Sequence, residues 1–163
     1  MIATDAAETI PTSSPRVQIR RLEPEDADYL LTILKDRWEI SFKDAIAAAR
    51  IYTAGGTASG FLAAAGTHRV GICLLDHNTL DVDTTRHPWL LALWVDPPSR
   101  GRGLGQELVH ACLREAATQG FTEVFLDTTD AEKYHASYGW ERVGTAKYHG
   151  KTTVIMRRDI TMR

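Results

Sequence analysis

The stretch Pro88–Gln106 reads PWLLALWVDPPSRGRGLGQ, and the rest of the chain is arranged around it. Trp89–Val95 is an unbroken apolar run of bulky residues, the length and composition of a buried strand. Asp96-Pro97-Pro98-Ser99 ends it, because proline has no N–H to give to a sheet ladder. Arg100-Gly101-Arg102-Gly103-Leu104-Gly105 follows, and from there Leu104, Leu108, Ala111, Cys112 and Ala116 recur at helical spacing. A strand, a glycine-rich turn and a helix start make an anion site: the first amides of a helix lack internal partners and carry the positive end of its dipole. Glycines let a phosphate come close to that backbone.

Outward from this stretch the composition sets bounds. The chain has 163 residues, a size that suits one domain with its own core. Its net charge of −2 gives no nucleic-acid surface and no polybasic membrane patch. Cys73 and Cys112 fall on apolar faces and read as buried thiols, which makes a reduced, cytoplasmic setting the default and leaves no metal site in view. No segment has the apolar length of a membrane helix, and the N-terminus lacks the pattern of a signal peptide. Residues 1–15, rich in Ala, Thr, Ser and Pro, read as a mobile tail ahead of a single domain over 16–163.

Taken in order, Arg16–Leu22 alternates as a strand. Glu23-Pro24-Glu25-Asp26 opens a helix that runs to about Lys35, with Leu30, Leu31 and Leu34 inward. A second helix is predicted over Ile40–Tyr52, with Phe42, Ile46 and Ala49 on one face. Phe61–Ala65 and Arg69–Leu75 make a hairpin around Gly66-Thr67-His68, and His77–Arg86 reads as a loop. After the central strand and its helix, which Gly120 caps, come a strand at Thr122–Asp127, a short helix at Ala131–Tyr138, and a last hairpin, Trp140–Tyr148 with Thr152–Arg158. The plan is α/β with a mixed central sheet.

Arg100-x-x-Gly103-x-Gly105, placed after an apolar strand and at a helix start, resembles the R/Q-x-x-G-x-G/A motif of the GNAT N-acetyltransferase family. The element order is similar too, from about Arg16 to the C-terminus. The resemblance implies a mixed sheet of about seven strands flanked by about four helices, with the fourth and fifth strands splayed apart. It also implies acetyl-CoA as co-substrate, its pyrophosphate on Arg100, Gly101, Arg102, Gly103, Leu104 and Gly105. The oxyanion would then meet a backbone N–H near Trp94 or Val95.

Acetyl transfer needs a deprotonated amine, a stabilised oxyanion and a proton for the leaving thiolate. For the last, the family often has a tyrosine in a pattern like FYxxxGF. Here Tyr134-His135-Ala136-Ser137-Tyr138-Gly139-Trp140 puts His135 at that position, a departure that makes His135 the candidate acid, with Tyr134 and Tyr138 as alternatives. No titratable side chain lies in Trp89–Val95, so the base stays open among His87, Asp81, Asp83, Glu39 and a water chain. The resemblance places the acceptor pocket at Asp36–Ser41, His77–His87 and Tyr148–Thr152. Trp38 and Tyr148 would be apolar walls there, and Asp36, Glu39, Asp81 and Asp83 would attract a cationic small-molecule amine. Neither cysteine stands where a nucleophile is expected, which favours direct transfer in a ternary complex. Trp89 and the last hairpin are candidate homodimer contacts.

Two other readings compete. Gly101, Gly103 and Gly105 with Asp127 on the next strand suggest half of a dinucleotide-binding fold, although Gln106 replaces the last glycine of G-x-G-x-x-G. A non-catalytic acyl-CoA-binding module would keep the motif and need no base.

Overall fold

The computed structural model describes residues 15–38, 40–77, 83, 85–148 and 150–161. The expected N-terminal tail lies almost wholly outside them, as do Glu39, Asp81 and His149. Seven strands form one sheet: β1 (Val17–Arg21), β2 (Ser59–Ala65), β3 (His68–Asp76), β4 (Trp89–Val95), β5 (Glu123–Thr128), β6 (Glu141–Tyr148) and β7 (Lys151–Asp159). Their spatial order is β1-β2-β3-β4-β5-β7-β6. All neighbours are antiparallel except β4 and β5. With one parallel pair, the sheet is not doubly wound, and the dinucleotide-binding alternative falls.

Helices α1 (Ala27–Trp38) and α2 (Phe42–Thr53) cover one face, and α3 (Leu104–Thr118) covers the other, with α4 (Glu132–Ala136) following β5. Leu108, Val109, Cys112 and Ala116 of α3 pack with Leu90, Val124, Leu126 and Met156. Leu30, Leu34, Ala45 and Ala49 pack with Leu62, Ile72 and Leu74 on the opposite face. Gly120 closes α3 as expected: its N–H bonds the Ala117 carbonyl, and the Phe121 N–H bonds that of Ala116, the paired bonds of a Schellman end. No helix among the described residues is long and apolar enough to cross a membrane.

Three details differ from the sequence reading. Pro24–Asp26 forms a separate 3-10 turn, and α1 begins after it. α2 begins at Phe42 behind its Ser41 cap, later than the expected Ile40; Phe42 is 59% exposed, and Ala45, Ala49 and Tyr52 are among its buried positions. Trp89 is fully buried against Phe125 and Ile155, so it offers no surface to a second copy.

The separate turn is held by Asp26, which has no exposed surface. Arg20 donates to both of its oxygens at 2.7 and 2.9 Å, Arg69 Nε donates at 2.7 Å, and the Glu23 N–H at 2.8 Å. One carboxylate thus ties the turn to β1 and β3. Burial opposes its ionisation, but the bonds from Arg20, the Glu23 amide and Arg69 outweigh burial and bring its pKa down to about 2 from 3.8. A lowered carboxyl pKa stabilises the fold above the unfolded value and is lost as pH falls through the folded one. Asp26→Ala is therefore expected to cost ~3–5 kcal/mol at pH 7. Its deficit against wild type should shrink between pH 4 and pH 2, as read by urea unfolding across that range.

Candidate active site

β4 pairs with β3 along its whole length, but with β5 only at Trp89–Phe125. Beyond that point the two parallel strands diverge. The β3 pairing also skips: Leu91 faces Leu74 and Trp94 faces Ile72, so two residues of β4 oppose Cys73 alone. This is a β-bulge, and Ala92 takes it up with φ +50°, a left-handed conformation that non-glycine residues seldom adopt. As a result Leu91, Ala92 and Trp94 pack toward α1 and α2, while Leu93 and Val95 pack toward α3.

The bulge sorts the backbone donors. The Asp96 N–H bonds the Val70 carbonyl at 2.8 Å. Bonded and non-bonded pairs alternate in an antiparallel ladder, so Trp94 bonds Ile72, and Val95 turns its N–H and C=O away from β3 into the gap beside β5. Arg100 Nε takes that Val95 carbonyl at 2.8 Å, which confirms the direction. Of the two sequence candidates for an oxyanion donor, Val95 alone has its N–H in the gap.

The gap opens into a cleft of about 630 Å³, between the end of β4, residues 99–106 and α4. Its volume is that of a small-molecule site. A 3-10 turn at Pro97–Ser99 carries the chain across, its ends closed by Ser99 N–H to the Asp96 carbonyl and Arg100 N–H to that of Pro97. Gly101 and Gly103 follow at φ +77° and +80°, and a Cβ at either would meet nothing within 4 Å. Glycine is thus required there by backbone conformation, not by crowding. The first helical bond of α3 runs from the Glu107 N–H to the Gly103 carbonyl, leaving the Leu104, Gly105 and Gln106 amides at the cleft without helical partners. Leu104 itself is buried in the core, so only its backbone serves the cleft.

Arg100 makes no ion pair among the described residues, and its guanidinium lies 4.7 Å from the Trp94 ring centroid, with Arg37 at 4.3 Å. Trp94 is held in turn by its indole N–H to Asp96, at 2.9 Å. An unneutralised cation beside three orphan amides fits a diphosphate. Arg102 is exposed and is not part of the cleft wall.

α4 forms the facing wall with Tyr134, His135 and Tyr138. A Cβ at Gly105 would lie 3.4 Å from the Tyr134 hydroxyl, an ordinary contact distance, so α4 sits close against the start of α3. Buried Gln106 then donates to that hydroxyl at 2.9 Å. Gln106 was legible in the sequence only as the residue that spoils a dinucleotide motif. Tyr138 is 43% exposed, its ring 5.2 Å from that of Tyr134. His135 is buried between Tyr134 and Trp140, and its Nδ1 has no hydrogen-bond partner among the described residues. Burial lowers its pKa from 6.5 and keeps the imidazole neutral at pH 7.

The acceptor-side residues are more scattered. Trp38 ends α1 and is 40% exposed, and Tyr148 ends β6. Asp83 accepts from Thr85 and pairs with Arg86, so its charge is met locally. The Thr85 and Arg86 bonds hold its carboxyl below the ordinary value. Both cysteines are buried, and burial raises the Cys112 thiol well above its ordinary pKa. No group of three or more metal-binding side chains occurs among the described residues.

A sequence profile described as the Acetyltransferase (GNAT) family matches residues 21–140. The chain belongs to the GNAT acetyltransferase family. With that family comes the N-acetyltransferase class of enzyme, and the GNAT fold is matched by solved structures. An aminoglycoside 6'-acetyltransferase type Ii superimposes with TM-score 0.73 at 18% identity, over 90% of this chain and 99% of that one. The PaiA N-acetyltransferase from Thermoplasma acidophilum, in complex with coenzyme A, gives 0.69 at 14% identity, over 88% and 99%. YncA from Salmonella typhimurium, solved with acetyl-CoA, gives 0.69 at 14%, over 91% and 96%. At these identities the likeness is one of fold. No curated protein matches the sequence.

Because His135 of this GNAT domain is buried as a neutral base, its lowered pKa favours the fold above pH 6.5 and penalises it as pH falls below that value. A histidine-resolved NMR titration is expected to place His135 below 6.5, and His135→Leu should flatten the loss of stability on that acid side.

Proposed function

We propose that this GNAT enzyme moves an acetyl group from acetyl-CoA to a primary amine of a small molecule, by direct transfer in a ternary complex. The observation that carries this reading is the pairing of the α3 amides and Arg100 with a cleft that leads to the splay of β4 and β5. The backbone of residues 100–105 holds the pyrophosphate, with Arg100 supplying charge. Arg102, outside the cleft wall, adds only a general positive field. The pantetheine arm runs along the divergent half of β4. The Val95 N–H receives the carbonyl oxygen as it gains negative charge.

Proton supply to the leaving thiolate comes from the α4 wall. His135 is the first candidate, with Tyr138 and Tyr134 beside it; its neutral imidazole N–H gives the sulfur a hydrogen bond, and the proton itself comes from His135 once protonated or from a tyrosine. Direct transfer is supported by the buried cysteines, which no acyl donor in the cleft reaches without rearrangement. Trp38, Asp83 and Tyr148 border the acceptor, and Asp83 serves there more by fixing Arg86 than by meeting a cation.

One observation favours a second reading, a non-catalytic acyl-CoA-binding module: no residue of Trp89–Val95 has a titratable side chain. The same experiment separates the two. Acetyl-CoA should raise thermal stability by about 2.7 kcal/mol at a hundredfold excess over Kd. Gly103→Val, which forces a branched residue into a left-handed conformation, should abolish that shift. Release of free thiol with a panel of alkylamines would establish transfer. A stability shift with no thiol release from any amine would favour the module instead.

A further inference from the structure

The strands either side of the slot bring a single carboxylate to it. Asp127 lies two residues beyond Phe125 on β5, as Leu91 lies two beyond Trp89 on β4, so it stands where the strands begin to part. By strand alternation it shares the face of Phe125 and Ile155, which is the α1 and α2 side. The cofactor cleft opens on the other side, at α3 and α4. An acyl group reaching through the slot from one face would meet a group held by Asp127 on the other.

Aspartate is disfavoured inside a sheet, and this one is half-buried beside Phe125 and Ile155. Its only partner among the described residues is Thr153, itself fully buried, which donates to Oδ2 at 3.0 Å. The neighbouring cations are taken: Arg86 by Asp83, and Arg157 by Glu123 and Glu141. Lys151, farther along β7, makes no ion pair with it among the described residues. A fixed anion without a cation is complementary to an ammonium group.

We propose that Asp127, oriented by Thr153, binds the acceptor as an alkylammonium and takes its proton, so filling the place of the base that β4 lacks. This rests on the acetyltransferase reading above. The ammonium gives one proton to the Asp127 carboxylate, directly or through a water. The freed nitrogen lone pair forms a bond to the thioester carbonyl carbon, and the C–S bond breaks. The nitrogen then gives up its second proton, which passes through water to replace the one that the α4 wall gives to the thiolate, and Asp127 releases its own to solvent. The products are an N-alkylacetamide and free coenzyme A.

Asp127→Asn keeps the shape and the Thr153 bond but removes the charge. With spermidine, kanamycin and simple alkylamines as probes, it is expected to lower kcat/KM by about 100-fold or more. The thermal shift with acetyl-CoA should stay at the wild-type value, and Asp127→Glu should recover part of the rate. Thr153→Val, which leaves the charge but frees the carboxylate, should lower kcat with the acetyl-CoA shift unchanged. Turnover by Asp127→Asn within about threefold of wild type would overturn the proposal. So would a wild-type protein that binds acetyl-CoA but neither binds nor acetylates any of these amines. Absence of an acetyl-CoA shift in the wild type is a different failure: it removes the acetyltransferase reading, and this assignment with it.

Discussion

A strand that must satisfy its backbone on one side while leaving it open on the other is the constraint on which this molecule depends. β4 is bonded to β3 from Trp89 to Val95, yet touches β5 at one residue pair. Open backbone inside a sheet is costly, since each unpaired buried amide forfeits a hydrogen bond worth about 0.5–1.5 kcal/mol net. The bulge at Ala92 adds strain on the order of 1–3 kcal/mol. The two cores offset these costs by gripping β4 from both faces: Leu90, Leu93 and Val95 against α3, and Leu91, Ala92 and Trp94 against α1 and α2. Without a side chain on each face, the bulge would relax and the slot would close.

The slot gains its chemistry from what is stationed at its ends. At one end the start of α3 aims orphan amides into the cleft, and Arg100 is steered there by the Val95 carbonyl and the Trp94 ring. The arginine beside those amides thus also occupies the backbone carbonyl of Val95, whose N–H opens into the gap. α4 closes over this end, where Gln106 binds the Tyr134 hydroxyl. Farther along β5, Thr153 donates to Asp127 on the sheet face of Phe125 and Ile155. The chain has a net charge of only −2, so any electrostatic preference at the slot comes from local placement, not from an overall field.

The order of elements, the central strand and the glycine turn at the start of α3 were legible in the sequence because each is a local pattern. Apolar runs, proline stops and glycines at helix ends act through neighbours a few residues away. The misses were non-local. Phe42 has helical spacing with Ile46 and Ala49, but the face that α2 buries is set by its contact with α1. Trp89 reads equally well as core or surface until Phe125 and Ile155, far along the chain, are placed against it.

The candidate site divides in the same way. The sequence by itself determined that a helix would start at Leu104 behind flexible glycines, and that no carboxylate would sit on β4, since both follow from residue type and spacing. Only the tertiary structure decided that Val95 rather than Trp94 turns its N–H into the gap, because a bulge resets the alternation and no local signal marks Ala92 as its seat. Likewise only the pairing of β5 with β7 put Asp127 beside Thr153 and opposite the parting of β4. A residue's chemistry is written in its side chain, but which face it serves depends on register, and register is an agreement between strands distant in sequence.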